Sequence, residues 1–303
     1  MEKFSSLDHV VGNITEEEKN EIFEKRKKMF ETTDIEGLKK IEREKTPEEK
    51  EVLLEINEAT NKLRQKYGLE DFTIPEGNMH IIRKNEWASQ GETAVALPDL
   101  ECVLIHEPER KIHFSKTAFH EMVHMKSYNA VQKLTDCNEI TAYRSGLMIF
   151  PRSQEKMKSA PGGGNLDYFR DMNEAVTEEL ARRYVMSQID NPLYRDDFSE
   201  TRQLREIARQ NEMKAFLDEE VFSLYNVPGT DEIHAEKFGY KNFRTALYQI
   251  RKTIAEKYPE KFKSSEEVLD VFARAMFTGH MFELSNLMEE TFGKGTMRAI
   301  GTP

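Results

Sequence analysis

The 303-residue sequence predicts an α+β protein in which a small, mostly antiparallel sheet and one site-bearing helix lie mid-chain, between N-terminal helices and a mainly helical C-terminal half. Three observations predict it. Apolar residues recur at helical spacing behind two capping boxes before residue 70. Short runs rich in Ile and Val, broken by Gly91, Pro98 and Pro108, fill residues 72–114. From residue 171 helical spacing returns, punctuated by Asn191-Pro192, Pro228-Gly229 and Pro259. The expected segments are an N-terminal helical region 1–70, a core 71–190 and a helical subdomain 191–303.

The elements follow in order. Thr15-Glu16-Glu17-Glu18 opens a first helix carrying Ile22, Phe23, Met29 and Phe30. Thr46-Pro47-Glu48-Glu49 opens a second, with proline at its first position and Val52, Leu53, Ile56, Ala59, Leu63 and Tyr67 along one face until Gly68. Residues 78–83, 93–97, 101–106 and 111–114 read as strands, and Ser115 as the cap of a helix over 116–128. Residues 131–143 continue as helix, 146–150 form a short strand, and the glycine cluster 161–164 is a loop without the Gly-Lys-Ser/Thr of a phosphate loop. Helices are expected over 171–186, 201–225, 240–257, 265–277 and 280–292, with Ser264 and Glu267 as a further capping box and 293–296 as a frayed tail.

Composition narrows the function. Charged residues make up 33% of the chain and the formal net charge is −11, which argues against a nonspecific nucleic-acid binder. No stretch approaches the 18 apolar residues of a membrane span. Residues 1–11 lack a basic run followed by an apolar core, so no signal peptide is expected. Cys102 and Cys137, without a CxxC, then read as separate reduced thiols of a cytoplasmic protein.

The chemistry concentrates in His120-Glu121-Met122-Val123-His124. One helical turn separates the two histidines, so both imidazoles can reach one metal ion while Glu121 stands beside an open coordination position. Catalytic zinc takes three protein ligands and keeps a fourth position for water. A third histidine six residues on is excluded, because Ser127 and Ala130 stand where the extended motif needs glycine and histidine. The best acidic ligand is Glu174, in Asn173-Glu174-Ala175-Val176-Thr177-Glu178; Asp136 and Glu139 compete. Glu178, one turn beyond Glu174, could accept a hydrogen bond from the noncoordinating nitrogen of His120.

Together these two motifs resemble the gluzincin class of zinc metallopeptidases, which includes thermolysin-like enzymes and the catalytic domain of anthrax lethal factor. The likeness spans residues 112–183, with an interval between motifs nearer to the lethal-factor arrangement. It implies a zincin-like core, Zn2+ held by His120, His124 and Glu174, Glu121 as catalytic base and Glu178 in support. It also implies an oxyanion-stabilising tyrosine shortly before the glutamate ligand, the place of Tyr168. Tyr143, Arg144, His234, Tyr240 and His280 are the other candidates for that role. The expected function is hydrolysis of peptide bonds in a peptide or unfolded protein by metal-activated water, with residues 93–97 as a candidate edge strand for pairing the substrate. The alternative is a zinc-stabilised peptide-binding or regulatory protein without turnover.

Overall fold

The structure, a computed structural model, describes residues 5–302 apart from 33–36, 88–92, 135–138, 151–166, 228 and 231. Gly91, Asp136, Cys137, Pro151, the glycine cluster 161–164 and Pro228 lie outside the described residues. The protein is mixed α and β, with helices throughout and small sheets.

The N-terminal part comprises β1 (Leu7–Val11), α1 (Glu16–Thr32), α2 (Leu38–Ile41), β2 (Glu42–Arg43) and α3 (Pro47–Lys66). Both capping boxes form: Thr15 and Glu18 exchange side-chain-to-backbone hydrogen bonds of 2.9 and 3.2 Å, and Thr46 and Glu49 do so at 2.8 and 3.2 Å. The central sheet has the order β2-β3-β5-β4, with β3 (Met79–Ile82) parallel to β5 (Cys102–His106) and β4 (Ala94–Leu97) antiparallel on the outer edge. Helix α4 (Lys111–Lys126) packs against α3, β4 and β5. A second sheet joins β1 parallel to β6 (Asn129–Lys133), then β7 (Ile140–Ser145) and β8 (Met148–Ile149).

The C-terminal part adds α5 (Arg170–Ser187), α6 (Arg195–Gln210), the hairpin of β9 (Val221–Asn226) with β10 (Ile233–Lys237), α7 (Lys241–Lys257), α8 (Ser265–Thr278), α9 (Phe282–Phe292) and α10 (Thr296–Gly301). One main core of buried apolar side chains runs from Phe30 through Val123 and Val176 to Met288, drawing on all three expected segments. No described helix is long and apolar enough to cross a membrane.

Several local expectations are corrected. Residues 111–114 are the first turn of α4, not a strand. Arg110 at the N-cap offers no side-chain cap, and the Ile112 N–H is instead taken by Asp197 Oδ2 of α6 at 2.8 Å, a partner 85 residues away. Ser115 sits inside the helix, 2.9 Å from the Tyr194 hydroxyl. Residues 131–133 and 140–143 are extended rather than helical, because β6 is paired on both sides, by β1 and β7. The helix expected over 201–225 ends at Gln210; Glu212 takes φ 55° and the aromatic run Val-Phe-Ser-Leu-Tyr becomes β9. Ser264 makes no capping hydrogen bond, although Glu267 accepts one from Lys263 N at 2.8 Å. The end of the chain is not frayed: α10 docks through Gly301, whose carbonyl accepts from Phe169 N at 3.2 Å.

Candidate metal centre

Helix α4 presents His120, Glu121 and His124 to a cavity of about 930 Å³, and α5 crosses it to bring Glu174 to the same wall. Both helices are held by burial on most of their faces: Ala118, Phe119, Met122 and Val123 of α4 and Ala175, Val176 and Ala181 of α5 are all at most 2% exposed. The ligand atoms therefore sit on rigid backbone.

His120, His124 and Glu174 converge, and among the described residues they are the group of three His, Cys, Asp or Glu side chains able to hold one metal ion. Their atoms make a near-equilateral triangle. His120 Nε2 lies 3.1 Å from His124 Nε2 and 3.3 Å from Glu174 Oε2, and the third side is 3.5 Å. Three corners of a tetrahedron around a metal with bonds of about 2.0–2.1 Å stand roughly 3.3 Å apart. The side chains fit such an ion without rearrangement.

A second set of contacts fixes the triangle. His120 Nδ1 donates to Glu178 Oε2 at 2.8 Å, which turns the Nε2 lone pair toward the site. Glu178 is fully buried, and its other oxygen accepts from Gly239 N at 2.6 Å and forms an ion pair with Lys116 Nζ at 2.8 Å. This carboxylate thus ties α4 and α5 to the segment between β10 and α7. Asn173 Oδ1 takes the Leu147 N–H at 2.9 Å, and its amide nitrogen lies 3.4 Å from His124 Nδ1. Lys116 lies one turn before His120 and Asn173 directly before Glu174, so both were visible in the sequence as neighbours of the motifs, but neither carries a signal of its own.

The electrostatics favour a cation. Burial opposes charge on Glu174 and Glu178, yet the imidazoles, with Lys116 beside Glu178, hold both carboxyls well below the usual range. Burial likewise opposes charge on His120, but hydrogen bonds to Glu174 and Glu178 raise its pKa to about 10. Three carboxylates surround two imidazoles here, and the site attracts positive charge.

Tyr168 does not join this constellation. It pairs through its backbone with Ile149 at 3.0 Å in both directions, its side chain is 40% exposed, and it does not line the cavity. The tyrosine on the cavity wall is Tyr240. Its ring lies over His120 at 6.2 Å with an interplanar angle of 13°, close enough to Glu174 to feel the carboxylate charge. Burial, followed by the Glu174 charge, raises its pKa above the ordinary tyrosine value. Tyr240 takes φ 53°, a left-handed conformation rare for a bulky residue, and such strain is found where a fold holds a functional side chain. Sequence spacing could not single it out, since it stands 66 residues beyond Glu174.

Of the other candidates, Arg144 lines the cavity, but its guanidinium donates to the carbonyls of Gly146 and Gly279 at 2.7 and 2.6 Å. Tyr143, His234 and His280 do not line the cavity, and Glu139 is not part of the ligand group. The cavity runs between α4 and the outer edge of β4, which no other described strand pairs with, and is lined at one side by β6, β7 and residues Ser6, Leu7 and Arg26 of the N-terminal segment. Comparison of the chain with protein-family models, curated proteins and solved structures finds no match.

Proposed function

We propose that the protein is a zinc-dependent metallopeptidase of the gluzincin type. The observation that carries this reading is the His120, His124, Glu174 triangle with Glu121 beside it on the wall of a cleft. Two imidazole nitrogens and one carboxylate oxygen are a ligand set suited to Zn2+ in a catalytic site, where one position stays open. Zinc bound there would supply an acidified water and polarise a substrate carbonyl.

The chain's own residues supply the rest. Glu121 is 8% exposed and lines the cleft, where its carboxylate can take a proton from the attacking water and pass it to the departing amine. Tyr240, stacked on His120 beside the Glu174 carboxylate, offers a hydroxyl donor to the oxygen on which negative charge develops. Among the described residues, strand β4 is bonded to β5 along one edge only, so its other edge can receive an extended peptide by backbone hydrogen bonds. The fitting substrate is an extended peptide or an unfolded protein.

Glu121→Gln preserves the shape of the side chain and removes the proton acceptor. It should keep the bound zinc while lowering the hydrolysis rate of a peptide library about 10²–10⁴-fold. Equal turnover by the variant and the wild type would sink the proposed mechanism.

A further inference from the structure

The cleft extends well past the metal triangle. His113, Lys116, Thr117, His120, Glu121 and His124 all line it, so it follows α4 for three turns. At a rise of about 1.5 Å per residue, His113 lies roughly 12 Å from Glu121 along the helix axis. An extended peptide advances about 3.3 Å per residue, so a side chain three to four positions from the scissile bond arrives at His113.

At that end β10 lays Glu236 across α4. Glu236 Oε1 lies 2.7 Å from His113 Nδ1, while Oε2 is buried with no hydrogen-bond partner. One turn nearer the metal site, Thr117 is 4% exposed and its hydroxyl is also without a partner. A helical threonine can satisfy its hydroxyl on the carbonyl four residues back, and Thr117 does not. Two polar atoms on the cleft lining that lack a protein partner are left for donors that a bound ligand brings. Neighbouring cations do not fill this role: Lys116 Nζ is engaged by Glu178 at 2.8 Å, and Lys237 Nζ lies toward Asp218, 3.8 Å from its carboxylate.

We infer that Glu236 and Thr117 form a substrate subsite for a cationic side chain, lysine or arginine, three to four residues from the bond cleaved. This inference rests on the peptidase reading. An ammonium brings three N–H donors and a guanidinium five, which suits a carboxylate and a hydroxyl that lack donors. An apolar side chain would leave both acceptors unpaired, and a site built for hydrogen bonds rejects such an analogue more strongly than an apolar pocket rejects an extra group.

The test reads binding, not turnover. Fluorescein-labelled peptides of alanine and glycine, carrying one lysine or one norleucine at successive positions, are titrated by anisotropy into the zinc-loaded Glu121→Gln protein. At one position lysine should bind about tenfold more tightly than norleucine. Adding Glu236→Gln should erase that difference, and Glu236→Arg should move the preference to glutamate at the same position, a gain that a misfolded chain would not show. Thr117→Val should reduce the lysine preference in part. Absence of a lysine preference at every position, or a preference that survives Glu236→Gln, overturns the subsite. A wild-type chain that binds lysine peptides through Glu236 but hydrolyses none overturns the peptidase reading and leaves the subsite standing.

Discussion

Tyr240 and Tyr168 make opposite predictions. Tyr240→Phe keeps the ring stacked over His120 but removes the hydroxyl. Peptide hydrolysis should lose about 10- to 100-fold in kcat, with KM and zinc content little changed, because a donor to developing charge acts chiefly in the transition state. Tyr168→Phe should leave kcat as it was, since that exposed residue is not part of the cleft lining. Steady-state kinetics on the two variants decides between them. A second residue-scale prediction concerns Lys126, fully buried at the end of α4, where Nζ donates to Asn57 O at 3.1 Å and Asn61 Oδ1 at 2.9 Å. Burial pushes its pKa down to about 6, and the Arg64 charge adds to the effect. Both acceptors keep another donor, from Thr60 and Phe72, so an apolar side chain of similar length leaves nothing orphaned. Lys126→Met should raise stability by about 1–3 kcal/mol in urea unfolding at neutral pH; a loss would show that the cation is compensated.

At the scale of elements, α4 depends on a cap that its own sequence does not contain. Asp197 accepts the Ile112 N–H and also binds Arg110, which reaches Glu200 as well. Asp197→Ala should cost about 2–4 kcal/mol of stability, through a lost cap and a broken buried ion pair, whereas Asp197→Asn, which keeps an acceptor, should cost less. Chemical denaturation of both variants measures the difference. The same dependence explains which elements were legible. Helices α1 and α3 carry their caps within four residues and stood out at once, as did α5 and α7 to α9 by apolar spacing. The first turn of α4 draws its cap from α6, and β6 takes its extended form from pairing with β1 about 120 residues earlier, so neither announced itself locally. Strand β9, by contrast, was there to be read in Val-Phe-Ser-Leu-Tyr and was lost to the apolar spacing of the helix before it. In the site, His120, Glu121, His124, Glu174 and Glu178 were legible because two helices repeat every turn. Tyr240 stood there only as one of several weaker candidates and Gly239 not at all, since both arrive by tertiary folding from a third element.

For the whole molecule, the metal triangle sits where the main core is continuous. Helix α4 carries two ligands and α5 the third; both contribute to one apolar cluster that also holds α3 and α8. Glu178 joins them to the loop before α7, which brings Tyr240. The site is therefore a product of the assembled fold and not of one segment, which is why two short motifs 50 residues apart could identify its ligands but not its walls. The central claim is that His120, His124 and Glu174 hold one zinc ion. It is tested most directly by elemental analysis of protein purified without added metal or a metal-binding tag, comparing the wild type with Glu174→Gln. The account predicts one zinc per chain in the wild type and a large loss in the variant. A wild-type chain that carries no zinc and takes up none when it is supplied would contradict it.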